Sequence, residues 1–326
     1  MSETAAVHSA LVTGGAGFIG SNLAERLLAD GANVVVYDNF STGRRNFTAD
    51  LEASSRARVV EGDLLDVARL TEAMHGCDIV FHLAANADVR HGLEHPELDL
   101  QQNTIGTFNV LEAMRHAGVR RIVFGSTGSV YGEPEVFPTP EDSPFPRQTS
   151  LYGASKLAGE ALIQAYCEGY GYSGVILRFV SIMGERYTHG HLFDFYRALL
   201  QDPTRLSVLG DGHQRKSYLY VGDCVGAILK LVSIHHEPGS VVYNLGADEV
   251  TDVDQSIAAI CRHLGLSPEI VYGGGSRGWV GDSPLIHLDC TRLRARGWQP
   301  ELSIAQAVDR TLTWFDENRW VFGARG

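Results

Sequence analysis

The stretch Leu11-Val12-Thr13-Gly14-Gly15-Ala16-Gly17-Phe18-Ile19-Gly20 decides the fold. The apolar run Ala10-Leu11-Val12 reads as a buried strand, and it breaks into a glycine turn. Ser21 through Leu28 then carries apolar residues at helical spacing. Gly14, Gly17 and Gly20 fall three apart. The first permits the tight turn, the second lets backbone amides approach a pyrophosphate, and the third lets helix pack close on strand. Phosphate then sits at a helix N-terminus, where unpaired N–H groups and the macrodipole favour an anion. Any tight strand–helix turn can show such glycines, so the next strand matters. Val34-Val35-Val36-Tyr37 ends in Asp38, roughly 20 residues past the last glycine, where a ribose-binding acid belongs. An acid there repels a 2′-phosphate and favours NAD over NADP. Arg44 and Arg45 lie nearby and leave that preference open.

At 326 residues the chain can bury a full core. Hydrophobic content of 44% and charged content of 20% fit an ordinary soluble globular protein. The formal charge of -12 argues against nucleic acid or an anionic membrane as a main partner. Cys77, Cys167, Cys224, Cys261 and Cys290 are scattered, odd in number and without a CxxC pair. That suits buried thiols in a reducing cytosol better than disulfides or a zinc site. The N-terminus shows no basic region followed by a hydrophobic stretch, and no apolar run is long enough to span a membrane. A cytoplasmic protein without a metal centre is expected.

The first half alternates strand and helix. Asn39-Phe40-Ser41-Thr42-Gly43 is a polar loop suited to the adenosine end of a dinucleotide. Val59-Val60-Glu61 is a short strand ending at Gly62-Asp63-Leu64, where Asp63 either accepts the adenine amino group or caps a helix over 67–74. Ile79 to Leu83 is a fourth strand, followed by Ala84 and Ala85, small enough for close approach to a ligand. From Leu98 to Ala117 the apolar residues keep helical period, with Gly118 as the stop. Asn103 within that helix reads as a core polar group bracing the loops. Arg121-Ile122-Val123-Phe124 is a fifth strand. The repeated pattern implies an α/β fold with a doubly wound parallel sheet.

The fifth strand ends in Gly125-Ser126-Thr127-Gly128-Ser129-Val130-Tyr131-Gly132. Ligands bind beyond the carboxyl ends of such strands, so these hydroxyls point toward the cofactor. A proline-rich loop over 134–146 leads to Tyr152-Gly153-Ala154-Ser155-Lys156, which opens a long helix. Tyr152 and Lys156 are four apart and share one face. A tyrosine near pKa ~10 is a poor base at neutral pH. A nearby ammonium, joined by the positive nicotinamide ring, stabilises the phenolate.

The order TGGAGFIG, Asp38, HLAA, STGSVYG and YGASK resembles the extended short-chain dehydrogenase/reductase family, specifically its NAD-dependent nucleotide-sugar epimerases and dehydratases. The resemblance covers essentially the whole chain. It implies cofactor contacts at Gly14, Gly17, Phe18, Ile19, Gly20, Asp38, Asn39, Asp63, Leu64, Leu83, Ala84, Ala85 and Asn103. Ser41, Thr42, Gly43 and Phe179 extend that set, together with Tyr152 and Lys156. Thr127 matches the family's catalytic Ser/Thr, beside the catalytic Tyr152 and Lys156, and Ser126 is a neighbouring substrate contact.

The second half is less regular. Val175 to Phe179 is a sixth strand leading into Val180-Ser181-Ile182-Met183-Gly184, then a polar stretch from Arg186 to Leu192. By the resemblance, Ser207 and Leu209 lie against a uracil, and His191 and Leu192 bound the same pocket. Gln214 and Lys216 stand where relatives clasp the diphosphate, and lysine lacks the bidentate fork of an arginine. Arg277 and Asp282 resemble a second phosphate-binding arginine and a ribose-binding acid, with extra residues between them. Residues 1–178 form the expected NAD-binding Rossmann domain, to which 218–245 returns, and 179–326 the nucleotide-sugar lobe. Trp298, Trp314 and Trp320 fit helix packing.

In this family the 4,6-dehydratases carry an Asp-Glu pair directly after the catalytic Thr, and uronate decarboxylases tend to carry Glu at the place of Ser129. This chain has Gly128-Ser129. Epimerisation remains. Tyr152 removes the proton of a sugar hydroxyl with Thr127 bridging, NAD takes the hydride, and the resulting ketose turns and is reduced on its other face. The expected substrate is a UDP-sugar inverted at C4, with UDP-glucuronate slightly ahead of UDP-glucose. Ser181 stands where many neutral-hexose epimerases have Asn, and Arg186, His189 or Arg90 supplies the positive charge a buried carboxylate needs. A UDP-glucose/UDP-galactose 4-epimerase, another nucleotide-sugar epimerase and a non-catalytic NAD-sensing regulator are the alternatives. A homodimer through the helices at 98–117 and 152–170 is expected from the family alone.

Overall fold

The computed structural model describes residues 7–144, 147–278, 283 and 285–323. Its central sheet is built from β1 (Ser9–Thr13), β2 (Asn33–Asp38), β3 (Ala57–Glu61), β4 (Ile79–His82), β5 (Arg121–Thr127), β6 (Ser173–Phe179) and β7 (Gly239–Leu245). All seven run parallel, in the order β7-β6-β5-β4-β1-β2-β3. Parallel strands need crossovers, and the crossovers here are α1 (Phe18–Ala29), α2 (Val67–Met74), α3 (Gly106–Ala117) and α4 (Leu151–Tyr170). They cover both faces of the sheet, which is why its central strands are nearly continuous apolar runs. Side chains along β1 part by the strand period of two. Ala10 and Val12 enter one core, while Leu11 enters the other with Val80, Ile122 and Ile176.

Strand order reverses between β1 and its neighbours β2 and β4, and two residues let α1 begin at that point. Gly14 has a left-handed backbone, φ 68°, and its missing side chain leaves room for Ala84. A Cβ on Gly20 would overlap the carbonyl oxygen of Gly14. Strand and helix therefore meet at backbone distance.

The second half adds α5 (His191–Gln201), α6 (Val221–Val232), α7 (Val253–Leu264) and α8 (Ile304–Glu317), with short strand pairs between them. Ser181–Met183 pairs with Tyr218–Tyr220, and Arg205–Val208 with Glu269–Tyr272, both in parallel. The larger apolar core runs on from Val36 and Phe47 through Tyr187 and Phe193 to Phe315.

The single helix expected over 98–117 is instead a short helix, a π-helical segment (Asp99–Ile105) and α3. The wider π turn brings Asp99 and Asn103 inward together, where Asn103 Nδ2 donates to Asp99 Oδ1 at 3.1 Å. Apolar period alone does not register that extra residue. The N-cap of α2 is Asp66, which accepts from the Arg69 amide at 3.0 Å, not Asp63.

Gly20→Ala is expected to lose about 1–3 kcal/mol of stability through overpacking. Thermal unfolding, together with an assay of the dinucleotide released on denaturation, should show a lower Tm and less bound cofactor.

Candidate active site

A cleft of about 740 Å³ opens beyond the carboxyl ends of β1, β4 and β5. Its floor is the glycine turn, with Gly14, Gly17, Phe18, Ile19 and Gly20 all exposed to it. The first intrahelical bond of α1 runs from Ser21 N to Gly17 O. The amides of Phe18, Ile19 and Gly20 therefore lack helical acceptors and sit where a pyrophosphate would. Beneath the turn, His82 bridges Thr13 Oγ1 at 2.8 Å and Thr107 Oγ1 at 3.0 Å. Burial pushes its pKa down to about 3, so it is a neutral brace.

Asp38 lines the cleft at the end of β2. Its carboxylate accepts from Ala16 N at 2.9 Å and Phe40 N at 2.8 Å, which fixes it beside the glycine turn. Asn39, Ser41 and Thr42 line the cleft next to it. Arg44 donates to the Val321 carbonyl at 2.8 Å and lies over the Trp320 ring, while Arg45 pairs with Glu61 at 2.5 Å. Both arginines are thus engaged away from the carboxylate, and Phe47 in the same loop packs on Trp314 and Trp320. These groups fit a dinucleotide without a 2′-phosphate. Leu64, Leu83, Ala84, Ala85 and Phe179 complete this wall.

Three residues expected at the cofactor stand behind the wall. Gly43 packs against the Asp38 carboxylate and Ala16. Asp63 accepts from Asn39 Nδ2 at 2.8 Å and Leu65 N at 2.9 Å, so it fixes the adenosine loop. Asn103 is 1% exposed, and its amide is used up inside the protein. Its Oδ1 accepts from Asn86 N at 2.8 Å, and Nδ2 donates to Ser155 Oγ at 2.9 Å. It braces the loop to α4, in place of the cofactor contact that the resemblance implied.

Thr127, Tyr152 and Lys156 meet in the cleft with Ser126 and Ser181. Thr127 ends β5 and caps its own turn, accepting from Ser129 N at 3.1 Å. Ser150 caps α4 by accepting from Gly153 N at 3.0 Å, which sets Tyr152 in the first turn. Burial pushes Tyr152 up to about 12, the facing Thr127 hydroxyl pulls it down, and Asp99 adds to the rise. Burial pulls Lys156 down to about 7, opposed by Glu160. Its ammonium lies 4.0 Å from the centre of the Phe124 ring. The charged form of Lys156 is present below that value and is lost as pH rises through it. The tyrosine becomes a base only when cationic charge beside it offsets its burial.

Arg186 is not in the cleft. Its backbone is left-handed, φ 69°, and its guanidinium reaches Glu25 on α1 at 3.1 Å and the Phe47 ring at 5.8 Å. The carboxylate-binding role expected of it is therefore corrected. Leu192 is fully buried in the core, which corrects its expected place as a pocket wall. His191 Nδ1 meets the Tyr218 hydroxyl at 3.2 Å, and burial together with nearby Lys216 pushes it down to about 3. Gln214 is buried beside Leu209, whereas Ser207 and Leu209 are exposed. Arg277 pairs with Glu133 at the surface. Asp282 and the side chain of Arg90 lie outside the described residues. Sequence reading passed over Asn86, Ala87 and Asp88, which line the cleft with His189. The small-residue run after β4 was the available signal, and it pointed only as far as Ala85.

The model of the NAD dependent epimerase/dehydratase family matches residues 10–246. The chain belongs to this family. It is 36% identical over 313 residues to a UDP-glucose 4-epimerase of Mycolicibacterium smegmatis, covering 94% of this chain and 97% of that one. The structure of a UDP-glucose 4-epimerase with UDP-glucose from Thermotoga maritima superposes with a TM-score of 0.86 at 31% identity, covering 95% and 99% of the two chains. MoeE5 in complex with UDP-glucuronic acid and NAD matches with a TM-score of 0.83 at 29% identity, over 95% and 99%. The protein is thus an NAD-dependent nucleotide-sugar enzyme with the Rossmann-like fold of its family.

Tyr152→Phe is expected to cut turnover by about 10²–10⁴-fold while the purified protein keeps its NAD. Steady-state rates and assay of the released dinucleotide test this, and near-normal turnover would overturn the assignment.

Proposed function

We propose that this protein interconverts C4 epimers of a UDP-hexose, with UDP-glucose and UDP-galactose ahead of UDP-glucuronate. The observation that carries the ordering is the direction of Arg186. A uronate carboxylate in a closed site needs a cation, and Arg186 spends its charge on Glu25. Among the described residues lining the cleft, Lys156 is the sole lysine or arginine, and Asp88 adds a carboxylate to the same wall. A neutral sugar suits that lining, and the UDP-glucose 4-epimerase relatives support the same order.

The residues after Thr127 support epimerisation over elimination or decarboxylation. Gly128 faces Ile286 and Leu288, so its position is apolar and close-packed, and Ser129 carries no carboxyl group. NAD, when bound, supplies reversible hydride transfer at the sugar carbon. Tyr152, with Thr127 beside it, takes the proton of the hydroxyl on that carbon and later returns it. Lys156 supplies the positive charge that makes the phenolate accessible. The wall of Ser126, Ser181 and His189 is polar and holds no lysine, arginine or carboxylate, which lets a sugar ring turn without breaking a strong ion pair.

We further propose a homodimer. The π-helical segment and α3 expose Leu100, Ile105 and Phe108 in sequence, and Leu151 opens α4 beside them with 43% exposure. Apolar side chains in that density along two packed helices suit a second copy of the same surface. Residues 1–178 with 218–245 serve the cofactor, and 179–326 serves the nucleotide sugar. A cytoplasmic setting is supported by five unpaired cysteines. No described helix is long and apolar enough to cross a membrane.

Separate incubations with UDP-glucose and UDP-glucuronate, followed by proton NMR, test the substrate order. UDP-glucose should be converted to its C4 epimer with the higher kcat/KM. Arg186→Ala should leave the ratio between the two sugars unchanged, and selective loss of the uronate reaction would restore the carboxylate role to Arg186. Phe108→Glu should shift the protein toward monomer in sedimentation velocity.

A further inference from the structure

One turn beyond Lys156 on α4 stands Glu160, 1% exposed. Its Oε1 accepts from Ser126 Oγ at 2.5 Å and from Arg178 Nε at 3.0 Å, and its Oε2 accepts from Arg178 Nη2 at 2.7 Å. Arg178, on β6, is 4% exposed and also donates to the Tyr131 hydroxyl at 2.7 Å and the Glu141 carbonyl at 3.0 Å. Ser126 is the residue before Thr127 and lines the cleft. One carboxylate thus ties the end of β5, where Thr127 sits, to the helix that carries Tyr152 and Lys156.

A buried ion pair is a poor choice for a mere staple, since apolar side chains of similar volume usually hold as well or better. The carboxylate end of the pair acts on what stands nearby, in a medium where screening is weak. The groups that face Lys156 come from several elements. Tyr152 and Glu160 share α4 with it. His82 approaches from β4 as a neutral ring, and the Phe124 face lies on β5. Asp99, on the π-helical segment, acts on Tyr152. Arg178 stands behind Glu160, engaged with both of its oxygens. Among the described residues, the anion that offsets the burial of the Lys156 ammonium is Glu160, one helical turn along α4.

We propose that Glu160 is a positioning residue of the reaction: its carboxylate orients the Ser126–Thr127 strand end and stands as the counter-charge one helical turn from Lys156. Its turnover arm rests on the epimerase reading above, and its titration arm does not.

The chain has three lysines, Lys156, Lys216 and Lys230, so carbon-13 labelling of lysine gives three signals assignable by single Lys→Arg changes. In the NAD-loaded protein, Glu160→Gln should lower the Lys156 titration midpoint by about one pH unit or more. Its kcat should fall about tenfold or more above neutral pH, with KM for the UDP-sugar within about twofold of the parent value. Glu160→Asp keeps the charge but draws it back, and its midpoint should lie between those of the parent and the Gln variant. If Glu160→Gln does not fold, the Asp variant alone decides, by a midpoint below that of the parent. A Lys156 midpoint unmoved in the folded variant overturns the proposal. A shifted midpoint in a protein that turns over no UDP-sugar leaves it standing and removes the epimerase reading instead.

Discussion

The contact between the Gly20 backbone and the carbonyl of Gly14 sets the distance from which everything else in the cofactor half is measured. Only with that contact can α1 begin directly off β1 and aim its first amides into the cleft. The same closeness brings the backbone of Ala84, just past the end of β4, against Gly14. His82 then has to fill the space below as a neutral ring between two threonine hydroxyls. A tight turn in one place has become a constraint on two strands and on α3.

The catalytic groups show why burial and charge have to be arranged together. Burial drives Tyr152 and Lys156 in opposite directions, each toward its neutral form. Left alone, that would make a site with neither a base nor a cation. The carboxylate of Glu160 and the charge a dinucleotide brings act against it from two sides. Polar atoms that look incidental, such as those of Asn103 and Ser155, keep these opposed groups at fixed spacing.

Much of this was legible in the sequence because it depends on local spacing. Glycines three apart, an acid after the second strand and Tyr152 four before Lys156 are all patterns within one strand–turn–helix unit. What stayed hidden depends on contacts between distant segments. Arg186 looks like a free cation in a polar loop, and only the fold shows that Glu25 lies within 3.1 Å of it. Glu160 reads as another helix residue until Arg178, eighteen positions on, closes over it. The π-helical segment hid for a different reason, since a single widened turn barely disturbs apolar period.

The loop after β2 is held from the far end of the chain. Arg44 bonds the carbonyl of Val321, and Phe47 packs between Trp314 and Trp320. On a ribosome, the glycine turn and Asp38 emerge early, whereas the residues that grip the neighbouring loop emerge about 270 positions later. The strand β7 that completes the sheet arrives almost as late. A nascent chain therefore exposes a half-made dinucleotide site for most of its synthesis. The loop that flanks Asp38 takes its final place only when the last turns of the chain close over it.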